Sequence, residues 1–362
     1  SVQNPSRSDY DRFIGLEHYD SGEPVITRFQ GTELLTTSAK AFKANDILIA
    51  RRNVYLKRAG IVFFDGITSG DSIILRLKED TQKTIGYSRE DLIRYIPFML
   101  NSEHFWIYAN KHADGMNSKR ISKDTLLEYE FELPSIDEMR DISDKLWAAY
   151  RLKEAYKKLL VTTDEMVKSQ FIEMYYNTHN KQTLESVCPI MSKGITPKYV
   201  ESSSVLVINQ ACIHWDGQRL GNIKYHNEEI PVRKRILESG DVLLNATGNG
   251  TLGRCCVFIC PSDNNTYIND GHVIALSTDR AVILPEVLNT YLSLNDTQAE
   301  IYRQYVTGST NQVDIVFSDI KKMKVPVPSM DEQILFVEVL KQADKSKFEL
   351  KQCIEHIDKV IK

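Results

Sequence analysis

Apolar residues recur three and four positions apart in two long segments of the chain, which is the spacing of helices that pack along a seam. The first segment places its seam positions at Ile142, Leu146, Ala149, Lys153, Tyr156, Leu160, Thr163 and Val167. The second places them at Phe336, Leu340, Ala343, Lys347, Leu350, Ile354, Ile357 and Ile361. Each pattern predicts one long amphipathic helix.

The two segments are copies of each other. Every seam position of the second segment lies 194 residues after one of the first, and the lone lysines, Lys153 and Lys347, correspond as well. Residues 133–139, LPSIDEM, return at 327–333 as VPSMDEQ with the same shift. Asp46 and the apolar run after it return at Asp241 with a shift of 195 residues. The chain is therefore predicted to contain an internal structural repeat.

The start of each helix carries residues that helix N-termini favour. Pro134 and Pro328 precede Ser135 and Ser329, which we predict to be N-caps. Acidic residues follow in the first turns, where they face the positive end of the helix dipole: Asp137, Glu138, Asp331 and Glu332.

We predict an α/β domain at 1–134, a long helix at 135–178, a second α/β domain at 179–328 and a long helix at 329–362. The seam lysines are expected to extend to solvent or to pair with an acidic neighbour.

Outside the two helices, short apolar runs broken by Gly, Pro, Asn and Asp predict strands and turns. The candidate strands are Ile47 to Ala50, Gly60 to Phe64, Ser72 to Leu77, Val205 to Asn209, Asp241 to Asn245, Cys256 to Cys260 and Val273 to Ser277. A shorter helix is predicted in each block, near residues 91–102 and 285–296. The second block opens at 182–187, and its counterpart would precede Ser1, so we expect the opening strand of the first block to lie outside this numbering.

The charge balance limits how the chain could bind nucleic acid. It has 45 Lys and Arg against 49 Asp and Glu, a formal net charge of −4, which argues against binding by bulk positive charge. Its six cysteines include no CxxC pair, so neither a zinc ribbon nor a disulfide framework is predicted, and a reducing cytoplasm is expected. We also expect no membrane span and no signal peptide, because no apolar run has the length or position of either.

Enzyme-like motifs are present, but their surroundings do not fit the chemistry. Residues 248–253, GNGTLG, match the GxGxxG pattern of dinucleotide sites. The β-branched, aromatic and cysteine residues that follow do not predict the helix such a site needs, so we interpret the motif as a hairpin loop. Cys212 and His214 lack a second ligand pair, and His226 with Glu228 lacks the PCxxC of zinc deaminases. We therefore expect no catalytic residue, metal or cofactor in this chain.

Polar and basic residues at equivalent places in the two blocks are our candidates for DNA contacts. One set follows the Asp46 and Asp241 strands: Arg51, Arg52, Asn53, Tyr55, Lys57 and Arg58, and then Asn245, Thr247, Asn249, Thr251 and Arg254. The other set precedes the long helices: Lys111, His112, Asn117, Lys119 and Arg120, and then Ser309, Thr310, Asn311 and Gln312. Arg and Lys suit guanine edges and phosphates, whereas Asn and Gln suit adenine edges. The alternative is an ordinary solvated surface.

In order and content, these features resemble the DNA-specificity subunit of a type I restriction-modification system. The resemblance rests on the strand and glycine-rich turn at 240–253, on TGST at 307–310 with IKKM at 320–323, and on VPVPSMDEQ at 325–333. Residues 14–22, IGLEHYDSG, also resemble an opening found in first recognition domains of that family. The first copy departs from the pattern at Met139, where the second copy has Gln333.

The resemblance implies an α+β fold with two α/β target-recognition domains in tandem, separated by two long helices that pack as an antiparallel coiled coil with pseudo-two-fold symmetry. It implies that each domain reads one half of a bipartite double-stranded DNA target, that the helices set the spacer, and that the subunit is not catalytic. The implied partners are two methyltransferase subunits, which bind S-adenosylmethionine, and restriction subunits that can join the complex. Two rival interpretations remain: a coiled-coil adaptor without nucleic acid, and a stand-alone DNA-modifying enzyme.

Overall fold

The computed structural model describes residues 1–116, 118–175, 178–309 and 312–361. The chain divides into two compact units. Unit 1 comprises residues 1–159 and 349–362, and unit 2 comprises residues 160–348. Each unit thus contains one α/β block and part of each long helix.

Unit 1 combines short strands with helices of very different length. Its strands are β1 (Phe13–Ile14), β2 (Lys40–Phe42), β3 (Ile47–Ala50), β4 (Ala59–Ile61), β5 (Gly66–Thr68) and β6 (Ser72–Leu75). Its helices are α1 (Thr81–Ile85), α2 (Arg89–Met99), α3 (Glu103–Lys111), α4 (Lys123–Leu127) and α5 (Ile136–Tyr175), the last of which continues into unit 2. Turns of 3₁₀ helix occur at Pro5–Arg7, Leu16–His18 and Val54–Leu56.

The central sheet of unit 1 has the order β4-β3-β6, and β3 pairs antiparallel with both neighbours. All four residues of β3 are buried, which agrees with its uninterrupted apolar sequence. A second sheet, β1-β5-β2, contains one parallel and one antiparallel pair. Ahead of β3, the buried carboxylate of Asp46 accepts hydrogen bonds from the backbone amide of Lys43 and from Arg76. These bonds close the turn from which the central strand starts.

The helix predicted near residues 91–102 corresponds to α2, which already ends at Met99, and a second helix, α3, follows it after a break. At the break, the buried side chain of Asn101 donates hydrogen bonds to the carbonyls of Ala59 and Pro97. Ser102 then accepts a hydrogen bond from the amide of Phe105 and so caps α3. Apolar residues continue on both sides of the break, so the hydrophobic pattern alone did not reveal it.

Unit 2 repeats this plan with more strands. They are β7 (Lys181–Thr183), β8 (Ile190–Lys193), β9 (Tyr199–Val200), β10 (Val205–Ile208), β11 (Ile213–His214), β12 (Gly217–Gln218), β13 (Lys224–His226), β14 (Val242–Asn245), β15 (Cys255–Val257), β16 (Thr266–Asn269), β17 (Val273–Ser277), β18 (Val306–Ser309), β19 (Gln312–Ile315) and β20 (Lys324–Pro326). The helices are α6 (Leu184–Val187), α7 (Pro285–Ser293), α8 (Asn295–Gln304), α9 (Phe317–Ile320) and α10 (Met330–Ile361), which ends in unit 1. Further 3₁₀ turns lie at Gln210–Cys212 and Leu220–Asn222.

The central sheet of unit 2, β15-β14-β17-β8, places β14 where unit 1 has β3, again between two antiparallel neighbours. Asp241 is buried and accepts hydrogen bonds from the amide of Glu238 and the hydroxyl of Ser277. Asp46 accepts the equivalent bond from the amide three residues before it in unit 1. The residue before each aspartate, Asn45 or Gly240, has a positive φ, a conformation that Gly and Asn tolerate best. The internal repeat predicted from these segments is therefore present in the structure.

Two predicted elements of unit 2 differ from the structure. The helix predicted near residues 285–296 is divided into α7 and α8, because Leu294 between them has an extended backbone. The opening segment 182–187 is a strand only at its start. Residues Leu184–Val187 form the short helix α6, whose first amide donates a hydrogen bond to the carbonyl of Met323.

Within unit 2, the two long helices pack against each other in opposite directions. The rings of Phe171 in α5 and Phe336 in α10 have centroids 5.2 Å apart. A second contact is the hydrogen bond that Lys347 Nζ donates to Asp164 at 2.9 Å. Asp164 precedes Phe171 in α5, whereas Lys347 follows Phe336 in α10. The two helices are therefore antiparallel.

Within unit 1, the seam is made by α5 and the last turns of α10, and one predicted seam residue lies outside it. Ile142 is 38% exposed, whereas its neighbour Ser143 is buried. Arg140 bonds to Asp91 and Trp147 donates from Nε1 to a backbone carbonyl of α2. Because these bonds turn the Ser143 face toward α2, the assignment of Ile142 to the seam is wrong. The remaining seam positions of both helices are buried or half-buried.

Each unit has apolar cores of its own. In unit 1 the main core joins β3 and β4 to α3 around Phe105 and Trp106. In unit 2 the main core joins β14, β17 and α7 to parts of α5 and α10, around Leu244, Phe171 and Phe336. Across the described residues, none of the helices is both long enough and apolar enough to cross a membrane.

Candidate nucleic-acid interface

In unit 1 the two predicted polar loops lie side by side, joined through their backbones. The amide of Ile121 donates to the carbonyl of Arg51 at 3.0 Å, and the amide of Asn53 donates to the carbonyl of Lys119 at 2.8 Å. Arg52 and Arg120 form an isolated antiparallel bridge between these bonds. The loop after β3 and the loop before α4 thus form one continuous surface.

Unit 2 joins its loops in the same way. The amide of Ile315 donates to the carbonyl of Ala246 at 2.8 Å, and Thr247 forms the isolated bridge with Asp314. These residues lie 194 or 195 positions after their counterparts in unit 1. The structure therefore brings the two candidate sets together in each unit, at equivalent places.

The joined loops of unit 1 present several cations. Arg52 Nε donates to Ser118 Oγ at 3.1 Å, and Ser118 donates to Asn53 Oδ1 at 3.0 Å, so the Arg52 guanidinium is held at Nε while its Nη groups face away from these bonds. Arg52 and Arg120 approach the carboxylate of Asp71 only to 4.0 and 3.9 Å. Exposed pairs of this length contribute little to stability. Both guanidinium groups therefore remain available to an anion such as a phosphate, or to a guanine edge.

Arg58 belongs to the loop but supports it from inside. It donates to the backbone carbonyls of Leu16 and Arg52 at 2.9 and 3.0 Å. Burial lowers the pKa of its guanidinium from the usual arginine value. The exposed residues beside it are Tyr55, Leu56 and Lys57. Arg58 thus holds the loop in shape, and Tyr55 and Lys57 are the polar residues next to it that a ligand could reach.

The rest of the unit 1 candidates lie on the outer part of the surface. Lys111 and Lys119 are exposed. His112 is also exposed, with its Nδ1 3.0 Å from the carbonyl of Tyr108 and its ring 4.3 Å from the Tyr108 ring. Asn117 lies outside the described residues, as do Thr310 and Asn311 of unit 2. Ser309 and Gln312 pair through their backbones at the end of the β18-β19 hairpin.

Two candidates of unit 2 donate hydrogen bonds to backbone carbonyls and so hold the loop together. Asn245 is completely buried, and its Nδ2 donates to the carbonyl of Gln210 at 3.1 Å. Arg254 donates to the carbonyl of Gly250 at 2.9 Å and so closes the turn. The structure corrects the prediction for Asn245: a side chain without exposed surface cannot reach DNA. Asn249 is exposed at the loop tip.

Two residues that the sequence did not single out, Gln210 and His272, complete this surface. Thr247 Oγ1 lies 2.9 Å from His272 Nδ1 and 3.4 Å from Gln210 Oε1, and Thr251 Oγ1 lies 3.4 Å from the same oxygen. Gln210 follows β10 and His272 follows β16, and these strands are parallel. The carboxyl ends of parallel strands meet at one edge of a sheet. The parallel pairing of β10 and β16 is therefore the feature that would have indicated that Gln210 and His272 lie close together.

The electrostatics of the two surfaces differ. In unit 1 the exposed groups are mainly Arg and Lys, of which Arg52 and Arg120 lie near Asp71. In unit 2 they are hydroxyls, an amide and an imidazole, with Asp314 paired to Lys193 at 2.8 Å. One surface therefore offers charge for phosphates and guanine, and the other offers neutral hydrogen-bonding groups.

The enzyme-like motifs are accounted for by the fold. The GNGTLG stretch connects β14 to β15, which pair antiparallel, so the hairpin interpretation is confirmed. Cys212 is buried, and His214 Nε2 lies 3.1 Å from the carbonyl of Ala211. In the described part of the chain, no three His, Cys, Asp or Glu side chains are grouped so as to hold a metal ion.

Comparison with known proteins identifies a family for the second half of the chain. Residues 180–358 match the family model described as the type I restriction modification DNA specificity domain. No curated protein sequence is a significant match to the chain.

The whole chain is similar in fold to solved structures. A protein from a structure of complex assembly and conformational transition in the type I R-M system is 17% identical, with 99% of this chain and 94% of that one covered and a TM-score of 0.55. The HsdS subunit from Thermoanaerobacter tengcongensis is 17% identical, with 99% and 90% covered and a TM-score of 0.43. The type I system S subunit from M. genitalium is 13% identical, with 99% and 89% covered and a TM-score of 0.49. The first likeness confirms the predicted α+β fold class.

Proposed function

Residues 180–358 of this chain belong to the type I restriction modification DNA specificity domain family, and from this premise we propose that the chain is the DNA-recognition subunit of a type I restriction-modification complex. Each unit would read one half of a bipartite target in double-stranded DNA. The subunit would carry no catalytic residue of its own and would act in the cytoplasm.

One observation carries this proposal. Both units join two variable polar loops by the same backbone bridge, Arg52 to Arg120 in unit 1 and Thr247 to Asp314 in unit 2. The two units thus share the backbone pairing and differ in the side chains above it. Two domains that recognise different DNA sequences require this combination, because base edges are read by side chains. The Arg-rich surface favours guanine in the first half-site.

The helices α5 and α10 would set the distance between the half-sites and dock two methyltransferase subunits, with restriction subunits as further partners. The first seam, from Leu146 to Val167, spans about 22 residues, or about 33 Å at 1.5 Å per residue. This length is close to the roughly 34 to 36 Å of one DNA turn. Two readers separated by such a helix could reach grooves on one side of a duplex.

The net charge of −4 limits what the chain can bind alone. Phosphate neutralisation supplies most non-specific affinity for DNA, so methyltransferase partners would have to contribute many phosphate contacts. We expect weak, salt-sensitive DNA binding by the isolated chain. Nanomolar binding at physiological salt would contradict this part of the proposal.

The chain would be expressed with its partner methyltransferase in a host free of DNA methylation, and N6-methyladenine would be mapped by single-molecule sequencing. The expected result is a split motif with a fixed gap, lost when the chain is omitted. S-adenosylmethionine would bind the partner, so the chain alone should transfer no labelled methyl group. Methyl transfer by the chain alone would indicate a stand-alone enzyme. An assembled complex that leaves the genome unmethylated, without salt-dependent crosslinking to DNA, would indicate an adaptor.

A further inference from the structure

We propose that Gln210 and His272 read bases of the second half-site, and that Thr247 holds their side chains in position. The inference rests on the proposed function and names specificity-determining residues of the unit 2 surface. Both side chains flank Thr247, whose hydroxyl lies 3.4 Å from Gln210 Oε1 and 2.9 Å from His272 Nδ1.

The backbone of Gln210 is fixed from two sides. Gln210 begins the 3₁₀ turn after β10, and Asn209 Oδ1 caps that turn by accepting from the amide of Ala211 at 2.9 Å. From below, the buried Asn245 donates to the carbonyl of Gln210. A side chain on a backbone held in this way loses little further freedom when it binds.

The amide of Gln210 is oriented by its neighbours. Its Oε1 faces the hydroxyls of Thr247 and Thr251, and no described residue accepts a hydrogen bond from its Nε2. Gly248 permits this packing: it has a φ of +99°, and a Cβ there would lie 2.6 Å from Gln210 Oε1. The outward group is therefore an N–H donor, which suits acceptors on a base edge such as purine N7 or guanine O6.

His272 is held equally firmly. Its amide donates to the buried Asp270 at 2.9 Å, and its carbonyl accepts from the amide of Ala246 at 2.8 Å. With Nδ1 occupied by Thr247, the ring presents Nε2 outward, and no described residue pairs with that atom. The imidazole is exposed, so Nε2 can reach a base edge beside the one that Gln210 contacts.

The fold itself does not require this arrangement. In unit 1, Leu16 occupies the place of Gln210 at the start of the equivalent 3₁₀ turn. Arg52 replaces Thr247, and Asp71 replaces His272, with its carbonyl accepting from the amide of Arg51 at 3.0 Å. The backbone is retained while the polar network is specific to unit 2, as expected of residues that specify one half-site.

The test uses the methyltransferase complex and the mapping experiment described above. Gln210→Ala and His272→Ala should each relax one base position of one half-site, lowering discrimination there by about tenfold, the typical value of a good base contact. Gln210→Glu replaces the outward donor by an acceptor and should shift preference toward a base that offers an amino group, such as cytosine. The other half-site should remain unchanged.

Asn264→Ala is the matched control. Asn264 is exposed in the same unit but precedes β16, at the opposite end of that strand from His272. A wild-type complex without a split motif would refute the proposed function itself. A normal wild-type motif that stays unchanged in all three Gln210 and His272 variants would refute this inference alone. Loss of methylation spread evenly over both half-sites would also refute it, since it would mark phosphate or structural roles.

Discussion

Lys153 Nζ donates a hydrogen bond to Asp358 Oδ1 at 2.6 Å and lies 2.7 Å from Glu23 Oε1, although the lysine side chain is only 2% exposed. The corresponding lysine, Lys347, pairs with Asp164, and Asp164 and Asp358 are themselves 194 residues apart. The same helix contact is thus made twice with the helices exchanged. Of the two outcomes expected for the seam lysines, extension to solvent or pairing with an acidic neighbour, the structure shows pairing.

Lys153→Ala should destabilise unit 1 strongly, because it leaves the carboxylate of Asp358 without its cation and Glu23 with Lys157 as its remaining partner. Breaking a buried pair by removing one partner costs about 3–5 kcal/mol. Lys347→Ala is the control, since Lys347 and its partners Asp164 and Asp344 are more exposed. Urea unfolding of both variants would check this. Equal losses of unfolding free energy in the two variants would show that the burial of Lys153 does not strengthen its contribution to stability.

Gln333→Ala should destabilise unit 2 by about 1–3 kcal/mol, the cost of unpaired buried polar groups. The side chain is completely buried, accepts from the amide of Leu284, and donates to the carbonyls of Val282 and Pro328. At the equivalent position, Met139 is also fully buried but is apolar. Met139→Leu, which conserves volume, should therefore cost less. Thermal unfolding would compare the two, and the reverse order would contradict this role for Gln333.

Ser135→Ala and Ser329→Ala should each cost about 1 kcal/mol at neutral pH, the usual value of an N-cap. The predicted caps are confirmed: each serine hydroxyl bonds to the glutamate three residues on, at 2.7 Å, and the serine amide donates to the same carboxylate. These bonds lower the pKa of Glu138 and Glu332 below the usual glutamate value.

The two caps should also depend on pH. A carboxylate whose pKa is lowered by folding stabilises the protein above its unfolded-state pKa, about 4.3 for glutamate. That stabilisation disappears as the pH falls through the lower folded-state pKa. The difference between wild type and the two serine variants should therefore shrink in acid. Unfolding curves at neutral and acidic pH would measure it, and a constant difference would exclude the ionised capping box as the cause.

Arg51→Ala with Arg52→Ala should relax recognition in the first half-site only. The two loops of unit 1 keep their backbone bonds in this variant, so the surface should persist while its cations are reduced. Mapping the methylated motif would show the effect. A uniform loss of methylation, without relaxation at one half-site, would identify the arginines as phosphate contacts.

Lengthening α5 and α10 by four residues each should widen the gap between the half-sites. Four helical residues add about 6 Å, which is roughly two base-pair steps of about 3.4 Å. Sequencing of the methylated sites would give the new gap directly. An unchanged gap, in a complex that still methylates DNA, would refute the role of the helices as a ruler.

The sequence predicted those parts of the fold that depend on local pattern. The long helices follow from apolar spacing, and the central strands Ile47–Ala50 and Val242–Asn245 follow from uninterrupted apolar runs next to a turn-forming aspartate. The breaks at Asn101 and Leu294 could not be predicted, because they depend on hydrogen bonds and backbone conformation inside apolar sequence. Ile142 was misplaced because bonds from α2, which the helix pattern does not contain, decide which face turns inward.

The candidate surface was predictable in position but not in detail. The repeat located both pairs of loops, yet it could not tell which side chains point outward. Asn245 bonds to a carbonyl 35 residues away, and Arg58 to one 42 residues away. Gln210 and His272 were missed because they reach the surface from other strands, so only the sheet topology assembles them with Thr247.

The loops of each unit are joined to one another by main-chain bonds, from Ile121 to Arg51 and from Ile315 to Ala246. Main-chain groups are the same for almost every amino acid, so substitutions at the outward positions leave these joints intact. If the proposed function is correct, new target preferences can therefore arise by point changes without a loss of folding, and one loop set can be exchanged for another on the same frame. Such a surface can change its side chains freely while its frame stays the same.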